Sequence, residues 1–352
     1  MYPALSVLRA LGNQAQQVLW VGDQSGMEAD LVARQGIAFT GIPAAGVHGV
    51  GLLKLPGNLL QLARGMLASR RILRQFRPDV LLFTGGYVAV PMAFAARSYP
   101  TLVYIPDIEP GLALKALAVF ADQLALTTED SRKYFSPRKR ATVTGYPIRP
   151  ELENWTRAEG RARLGLNDET PVLLISGGSK GARSINRALL AVLPQLLANM
   201  QIIHISGELD WPEIQAAQAG LAPDLLMRYH AFPYLHEMGA ALASADLAVS
   251  RAGASTLGEY PLFGLPAVLV PYPYAWRYQR VNAGFLQQHG AAVILENAEL
   301  PQKLTGTVES LIHQPEKLDA MRKAMQSLAR PQAAQQIAGL AAELAAQGKG
   351  KG

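Results

Sequence analysis

The stretch Ser250-Arg251-Ala252-Gly253-Ala254-Ser255-Thr256-Leu257-Gly258-Glu259 limits the fold more than any other part of the chain. Residues 245–249 before it are short and apolar, the pattern of a buried strand, and residues 264–271 after it read as a turn and a second strand. A strand, a turn of small residues, a helix and another strand form a unit that closes with its strands parallel. Small side chains let a ligand approach the backbone closely. The first N–H groups of a helix have no internal partner and carry partial positive charge, so an anion, most often a phosphate, fits there. Glu259, three residues after Thr256, is expected about one turn into the helix, where a carboxylate can accept two hydrogen bonds from a vicinal diol such as a ribose. The same residues also spell an ordinary α/β turn with a capping hydroxyl and a solvated glutamate.

The arrangement recurs. Residues 171–176 read as a buried strand running into Gly177-Gly178-Ser179-Lys180-Gly181-Ala182-Arg183 and a helix. This turn is neither G-x-G-x-x-G nor a P-loop, so NAD chemistry and ATP hydrolysis lose support. Further strands are expected at 201–206, 226–232 and 291–295, with Tyr234-Leu235-His236-Glu237-Met238 opening a helix and 271–283 a polar, aromatic loop. In the first half, Pro3 and Gly12 bound a helix over 2–11. Strands follow at 17–22, 37–42, 78–83, 101–105, 123–127 and 141–144, with a helix from about 27 to 35. The strand at 78–83 ends in Gly85-Gly86-Tyr87, a second place for close backbone approach. The strand at 101–105 ends in a loop carrying Asp107 and Glu109, at the carboxyl end where α/β ligands sit. Residues 151–168 read as linker and helix, and 348–352 as a disordered tail. The alternation predicts an α/β chain of two doubly wound, Rossmann-like parallel-sheet domains facing a cleft: 1–149, 150–330, and a C-terminal helix and tail over 331–352.

Composition removes several classes. Without cysteine, disulfides and thiol chemistry are excluded. No apolar run reaches the roughly 18 residues of a membrane span, and no signal-peptide pattern opens the sequence. His48, His204, His230, His236, His289 and His313 show no metal-ligand spacing, and no metal is expected. The formal charge of +6 favours anionic partners without choosing among them. Between Leu31 and Pro78 there is no Asp or Glu, while Arg34, Lys54, Arg64, Arg70, Arg71, Arg74 and Arg77 are basic. Leu52, Leu53 and Leu55 cluster beside Lys54, and Asn58 is expected to cap a helix with Leu59, Leu62, Ala63, Met66 and Leu67 on one face. This is either a solvated basic helix on a core or a surface resting on an anionic bilayer. Nucleic acid is disfavoured, because aromatic residues do not interleave the basic ones.

Three motifs carry a family likeness: Gly177-Gly178-Ser179-x-Gly181-Ala182-Arg183-x-x-Asn186, Ser250-Arg251-x-Gly253-Ala254-x-Thr256-x-x-Glu259, and Gln279-x-x-Asn282-Ala283. With Tyr2-Pro3-Ala4-Leu5, Gly85-Gly86-Tyr87 and Gly145-Tyr146-Pro147-Ile148-Arg149, they resemble the MurG family of bacterial N-acetylglucosaminyltransferases, glycosyltransferase family 28, over essentially the whole chain. The resemblance implies a GT-B fold and an inverting, metal-free and cofactor-free transfer from UDP-N-acetylglucosamine to an undecaprenyl-linked muramoyl-pentapeptide. It implies a peripheral place on the cytoplasmic face of the cell membrane. By the same resemblance Glu259 holds the ribose; Gly253, Ala254, Ser255 and Thr256 meet the diphosphate; Arg149, Ser179 and Gly181 lie near the sugar diphosphate; Leu235 lies beside the uracil; and Gln279 meets the sugar hydroxyls. Gly85, Gly86 and Tyr87 fall on the acceptor side.

The chain departs from the family in three places. The family's opening strand and Gly-Gly-Thr-Gly-Gly-His loop do not precede Tyr2, which leads to the expectation that the given sequence starts late and that the first sheet has exposed ladder edges. Tyr104-Ile105-Pro106-Asp107 replaces His-Glu-Gln-Asn, leaving Asp107 or Glu109 as candidate bases. Tyr146 stands where Asn is usual, and Arg277-Tyr278 where Asp-His is common. Two alternatives follow: a related UDP-sugar transferase with another lipid or small acceptor, or a nucleotide-sugar-binding protein without turnover. A UDP-sugar epimerase is a more distant one.

Overall fold

The computed structural model describes residues 1–23, 28–44, 55–167, 169–178, 181–273 and 278–349. Ser179 and Lys180, the Leu52-Leu53-Lys54 cluster, Arg277 and the tail from 350 therefore lie outside the described residues. The chain divides into two units, Met1–Pro147 with Gln332–Gly352, and Ile148–Pro331.

The first unit holds strands β1 (Leu19–Asp23), β2 (Ala38–Ile42), β3 (Leu81–Phe83), β4 (Thr101–Ile105), β5 (Gln123–Leu126) and β6 (Ala141–Val143). They form two parallel sheets, β1-β2 and β3-β4-β5-β6. β1 and β3 each keep one ladder edge without a strand partner among the described residues. Val21 of β1 still packs on the core built by Leu73, Phe83, Met92, Val103, Leu117 and Leu126. The C-terminal helix Ala333–Lys349 returns to this unit and packs on helix Tyr2–Leu11 and on β4. Gly348 belongs to that helix rather than to a tail, and a Cβ there would come 2.9 Å from Pro100 Cγ.

The long helix Leu55–Phe76 starts earlier than Asn58, so Asn58 lies in its first turn and does not cap it. Its inward face also differs from expectation. Gly65, Ser69 and Leu73 are buried, whereas Leu67 is 66% exposed. The cause is close approach: a Cβ on Gly65 would come 2.3 Å from the Pro43 carbonyl oxygen, so the helix turns its smallest residues inward. Its outer stripe carries Leu60, Arg64, Leu67, Arg71 and Arg74, all exposed.

The second unit is one six-stranded parallel sheet made of β7 (Val172–Ser176), β8 (Gln201–Ile205), β9 (Tyr229–Phe232), β10 (Leu247–Ser250), β11 (Ala267–Leu269) and β12 (Ala292–Ile294). Their order is β12-β11-β10-β7-β8-β9. β7, β8 and β10 are buried along their whole length, as strands covered by helices on both faces must be. Two expectations shift here. Residues 223–226 form a helical turn with Pro223 in its first turn, so β9 begins only at Tyr229. The next helix begins at Met238, not at Tyr234.

Helix Arg157–Leu164 enters through a complete capping box. Thr156 Oγ1 accepts the Glu159 N–H at 3.3 Å, and Glu159 Oε2 accepts the Thr156 N–H at 3.0 Å. Gly165 closes it in the left-handed region. Gly160 lets it pack tightly on helix Met238–Ser244, since a Cβ would come 2.6 Å from the Ala240 carbonyl oxygen. That packing delivers two arginines to Asp246, just before β10. Arg157 donates to Asp246 at 2.7 Å and Arg161 at 3.0 Å, and the Val172 N–H donates at 2.9 Å. Arg161 is 2% exposed, so its charge depends on this carboxylate. Asp246→Ala strands a buried guanidinium and is expected to cost about 3–5 kcal/mol in stability, measured by urea denaturation; a loss under about 1 kcal/mol would contradict the role.

Candidate functional site

In the second unit the strand order reverses direction between β7 and β10. Ligands of open α/β sheets sit at the carboxyl ends of the strands beside such a reversal. Two turns leave the sheet there, one after β7 and one after β10.

At Gly177 and Gly181, in the turn after β7, only glycine fits. A Cβ on Gly177 would lie 2.1 Å from the Ala182 nitrogen, and one on Gly181 would lie 2.0 Å from the Ser206 carbonyl oxygen. Gly178 and Gly181 also have φ of 84° and 75°. The turn feeds helix Arg183–Leu197, whose N-cap Ala182 has no side chain able to cap it. A cationic residue, Arg183, stands in its first turn against the helix dipole, compensated by Asp210 at 2.8 Å. An uncapped helix start behind a glycine turn is an anion seat.

The turn after β10 differs from the expected helix. Ala254–Leu257 is a single 3₁₀ turn, and a separate short helix, Glu259–Phe263, follows Gly258. Pro261 explains the break. In a continuous helix its ring would clash with the Leu257 carbonyl, whereas it is tolerated in the first turn of a new one. Glu259 therefore opens the short helix instead of lying a turn inside it. The first hydrogen bond of the 3₁₀ turn runs from Thr256 N–H to the Gly253 carbonyl, so Ala254 and Ser255 precede any acceptor within the turn. Thr256 Oγ1 donates to the same carbonyl at 2.7 Å. That hydroxyl is spent on the loop and the Ser255 hydroxyl is bonded to Glu259, so the turn offers a ligand the backbone of Gly253, Ala254 and Ser255.

Glu259 and Arg149 lie together in this unit, 3.6 Å apart. The Glu259 side chain is 13% exposed. Burial raises its pKa above the ordinary carboxylate value; the Arg149 charge and bonds from Ser255 and Arg149 oppose the rise without cancelling it.

Residues without an assigned role hold the turn in place. Arg251 donates to the Val270 carbonyl at 3.0 Å and to Ser184 Oγ at 2.8 Å, joining the β10 turn to β11 and to the start of helix Arg183–Leu197. Its guanidinium also lies over the Tyr272 ring at 5.2 Å. Asn282, fully buried, donates to the Ala252 carbonyl at 3.2 Å. Tyr260 donates to Ser250 Oγ at 2.7 Å. One signal was available for Arg251: a cation among small residues at a strand end. Residues 278–283 are not loop but the start of helix Tyr278–Gln288, and Gln279 Oε1 accepts the Tyr272 N–H at 2.9 Å, tying that helix to the segment after β11. Leu235 is half-buried beyond the carboxyl end of β9, two strands across from β7.

In the first unit, β3 and β4 are neighbours, so their carboxyl-end loops lie side by side. Gly85 and Gly86 have φ of 114° and 89°, and Tyr87 is 60% exposed. The two candidate bases separate. Glu109 is 5% exposed and pairs with Lys115 at 3.6 Å, whereas Asp107 is only half-buried. Tyr104, which stands in place of a family histidine, is a core residue. Its hydroxyl lies 2.9 Å from Thr127 Oγ1, its ring meets Tyr146 edge-on, and burial raises its pKa strongly.

The crystal structure of Acinetobacter baumannii MurG matches 97% of this chain and 95% of that one, at 28% identity and a TM-score of 0.78. Fold and site together define a glycosyltransferase of the GT-B class. The models of the glycosyltransferase family 28 N-terminal and C-terminal domains match residues 1–126 and 172–337. A UDP-N-acetylglucosamine--N-acetylmuramyl-(pentapeptide) pyrophosphoryl-undecaprenol N-acetylglucosamine transferase of Roseiflexus sp. (strain RS-1) is 42% identical, over 96% of this chain and 91% of its own length. The enzyme of that name from Desulforudis audaxviator (strain MP104C) is 37% identical, over 99% and 96%. The chain belongs to glycosyltransferase family 28.

Glu259 gives the site a test with two opposite signs. Its raised pKa means the folded state holds the proton more tightly than the unfolded one. The stability from this group is full below the ordinary carboxylate range and is lost as pH rises through the folded value. At neutral pH the buried carboxylate is thus a cost. Glu259→Gln is expected to leave Tm at pH 7.5 unchanged or higher, while weakening UDP binding by about 1–3 kcal/mol through lost charge-assisted bonds. Calorimetric titration and thermal melting measure both, and unchanged UDP affinity would remove Glu259 from the site.

Proposed function

We propose that this chain moves N-acetylglucosamine from UDP-N-acetylglucosamine to an undecaprenyl-linked muramoyl-pentapeptide, converting lipid I to lipid II in peptidoglycan synthesis. The observation that carries the reading is the match along 96% of the chain to a transferase named for that reaction. The switch-point site supplies its chemistry. The glycine turn with Gly181, and the backbone of Gly253, Ala254 and Ser255, receive the diphosphate, and Ser179 belongs to that turn. Thr256 shapes the loop, Glu259 takes the ribose hydroxyls, Leu235 lies on the uracil side and Gln279 on the sugar side.

The acceptor hydroxyl oxygen bonds to the anomeric carbon from the face opposite the UDP, and the C–O bond to UDP breaks with its electron pair. The charge that develops on UDP meets the uncapped start of helix Arg183–Leu197 and the Arg149 guanidinium. A base takes the hydroxyl proton. Asp107, half-buried, suits this better than Glu109, which is 5% exposed. Gly85, Gly86 and Tyr87, on the neighbouring loop, form the acceptor side.

No helix among the described residues is long and apolar enough to cross a membrane. In this proposal the first unit instead rests peripherally on the anionic cytoplasmic face. The exposed stripe of Leu60, Arg64, Leu67, Arg71 and Arg74 supports this, as do the exposed Phe94, with Arg97 over its ring, and the exposed Leu112 and Val119. Nucleic acid is not a partner in this reading.

The replacement at Tyr104–Asp107 favours a second reading, transfer to a different acceptor. Incubation with labelled UDP-N-acetylglucosamine and a lipid I analogue separates the two. Labelled disaccharide lipid is expected; UDP release with other acceptors alone would favour the second reading, and donor binding without turnover would sink both. In that assay Asp107→Asn is expected to lower kcat by about 10²–10⁴-fold with donor affinity intact, as loss of a general base does; near-normal kcat would contradict the assignment. For the membrane face, the combined change R64E, R71E and R74E is expected to abolish flotation with anionic vesicles in 0.1 M salt, and retained flotation would show that the stripe is only solvated.

A further inference from the structure

A buried polar relay lies directly behind the glycine turn. Asn186, in the second turn of helix Arg183–Leu197, is 1% exposed, and His204 of β8 is fully buried. Asn186 Nδ2 donates both its protons, to the Ser206 carbonyl at 2.9 Å and to Asp210 Oδ2 at 2.9 Å. Its Oδ1 therefore accepts from His204 Nε2 at 3.0 Å, which places the imidazole proton on Nε2. His204 Nδ1, left as an acceptor, takes the Tyr229 hydroxyl proton at 2.6 Å. A neutral imidazole protonated on Nε2 satisfies both ends. Burial keeps it so, pushing His204 down to about 4 against the opposing charge of Asp210.

The relay ends on two groups that shape the turn. The Ser206 carbonyl is the atom on which Gly181 rests, 2.0 Å from where a Cβ would be. Asp210 Oδ1 accepts from Arg183 Nε at 2.8 Å, in the first turn of the helix. A rotated Asn186 amide would present an oxygen to both the carbonyl and the carboxylate and would repel them. The hydrogen bond from His204 forbids that rotation.

We propose that His204, held by Tyr229, is a positioning residue for the donor diphosphate. By fixing the Asn186 amide it fixes the Ser206 carbonyl and Asp210, and with them the glycine turn and the first N–H groups of helix Arg183–Leu197. The inference rests on the reading above that this turn receives the diphosphate.

The discriminating readout is the affinity for UDP compared with that for uridine, which lacks the phosphates. Tyr229→Phe keeps the ring and removes one bond; His204→Phe removes both. Each is expected to weaken UDP binding by about three- to tenfold, with uridine binding unchanged. UDP-N-acetylglucosamine KM should rise in parallel with the UDP effect. His204→Gln, whose amide nitrogen reaches Asn186 Oδ1 from the position of Nε2, should retain most of the UDP affinity. Tyr229→Phe alone decides the matter if His204→Phe does not fold. Parallel loss of UDP and uridine binding, or no loss of either, would overturn the positioning role. Wild-type protein that binds uridine but gains nothing from the phosphates would instead remove the donor-site reading itself.

Discussion

The contact between Gly181 and the Ser206 carbonyl sets the terms for the rest of the second unit. Strand β7 must end, turn and become a helix within a few residues, beside the carboxyl end of β8. With 2.0 Å available where a side chain would begin, only a glycine backbone passes. Gly181 is thereby pressed against the end of β8, and helix Arg183–Leu197 starts beside the β10 turn, where Arg251 donates to Ser184 Oγ. A bulkier residue would lift the helix start away from that point. The anion seat is thus a consequence of how tightly the chain must turn, and the charge arrangement follows from it. Arg183 is tolerable at a helix start only because Asp210 lies beneath it.

The turn after β10 meets the same requirement differently. It uses a 3₁₀ turn, a break at Gly258 and a short helix, too short to supply much dipole of its own. What it supplies is placement. Arg251 ties it to β11 and to the start of the neighbouring helix, Asn282 holds the Ala252 carbonyl, and Tyr260 holds Ser250. These three side chains turn a run of small, flexible residues into a fixed surface. Glu259 carries the cost of function here. Its burial disfavours the charge that the proposed ribose contact would use, a conflict of a kind that clusters at binding sites.

Much of this was legible in the sequence, and the misses have definite causes. Apolar runs such as 171–176 and 245–249 gave strands within two residues of their observed bounds, because buried parallel strands are continuous apolar segments. The small-residue turns were legible because close approach selects glycine. The break before Glu259 was missed although Pro261 encodes it. In helix Leu55–Phe76 local periodicity points to the leucines as the inward face, while the packing selects Gly65 and Ser69 at a contact with Pro43 that periodicity does not reveal. The capping box Thr156-x-x-Glu159 is a local signal, legible from two residues at the right spacing. Glu109 and Asp107 could not be ranked from spacing, since burial and the Lys115 pairing are tertiary facts. The His204 relay joins residues far apart in the chain and leaves no local pattern.

The central claim is that the seat for the nucleotide diphosphate lies at the reversal between β7 and β10. Hydrogen–deuterium exchange of the intact protein with and without saturating UDP tests it most directly. The account predicts protection confined mainly to peptides covering 177–187 and 251–260, with little change in peptides covering 81–111. Protection centred on the first unit, or none at the two glycine-bearing turns while UDP is bound, would contradict it.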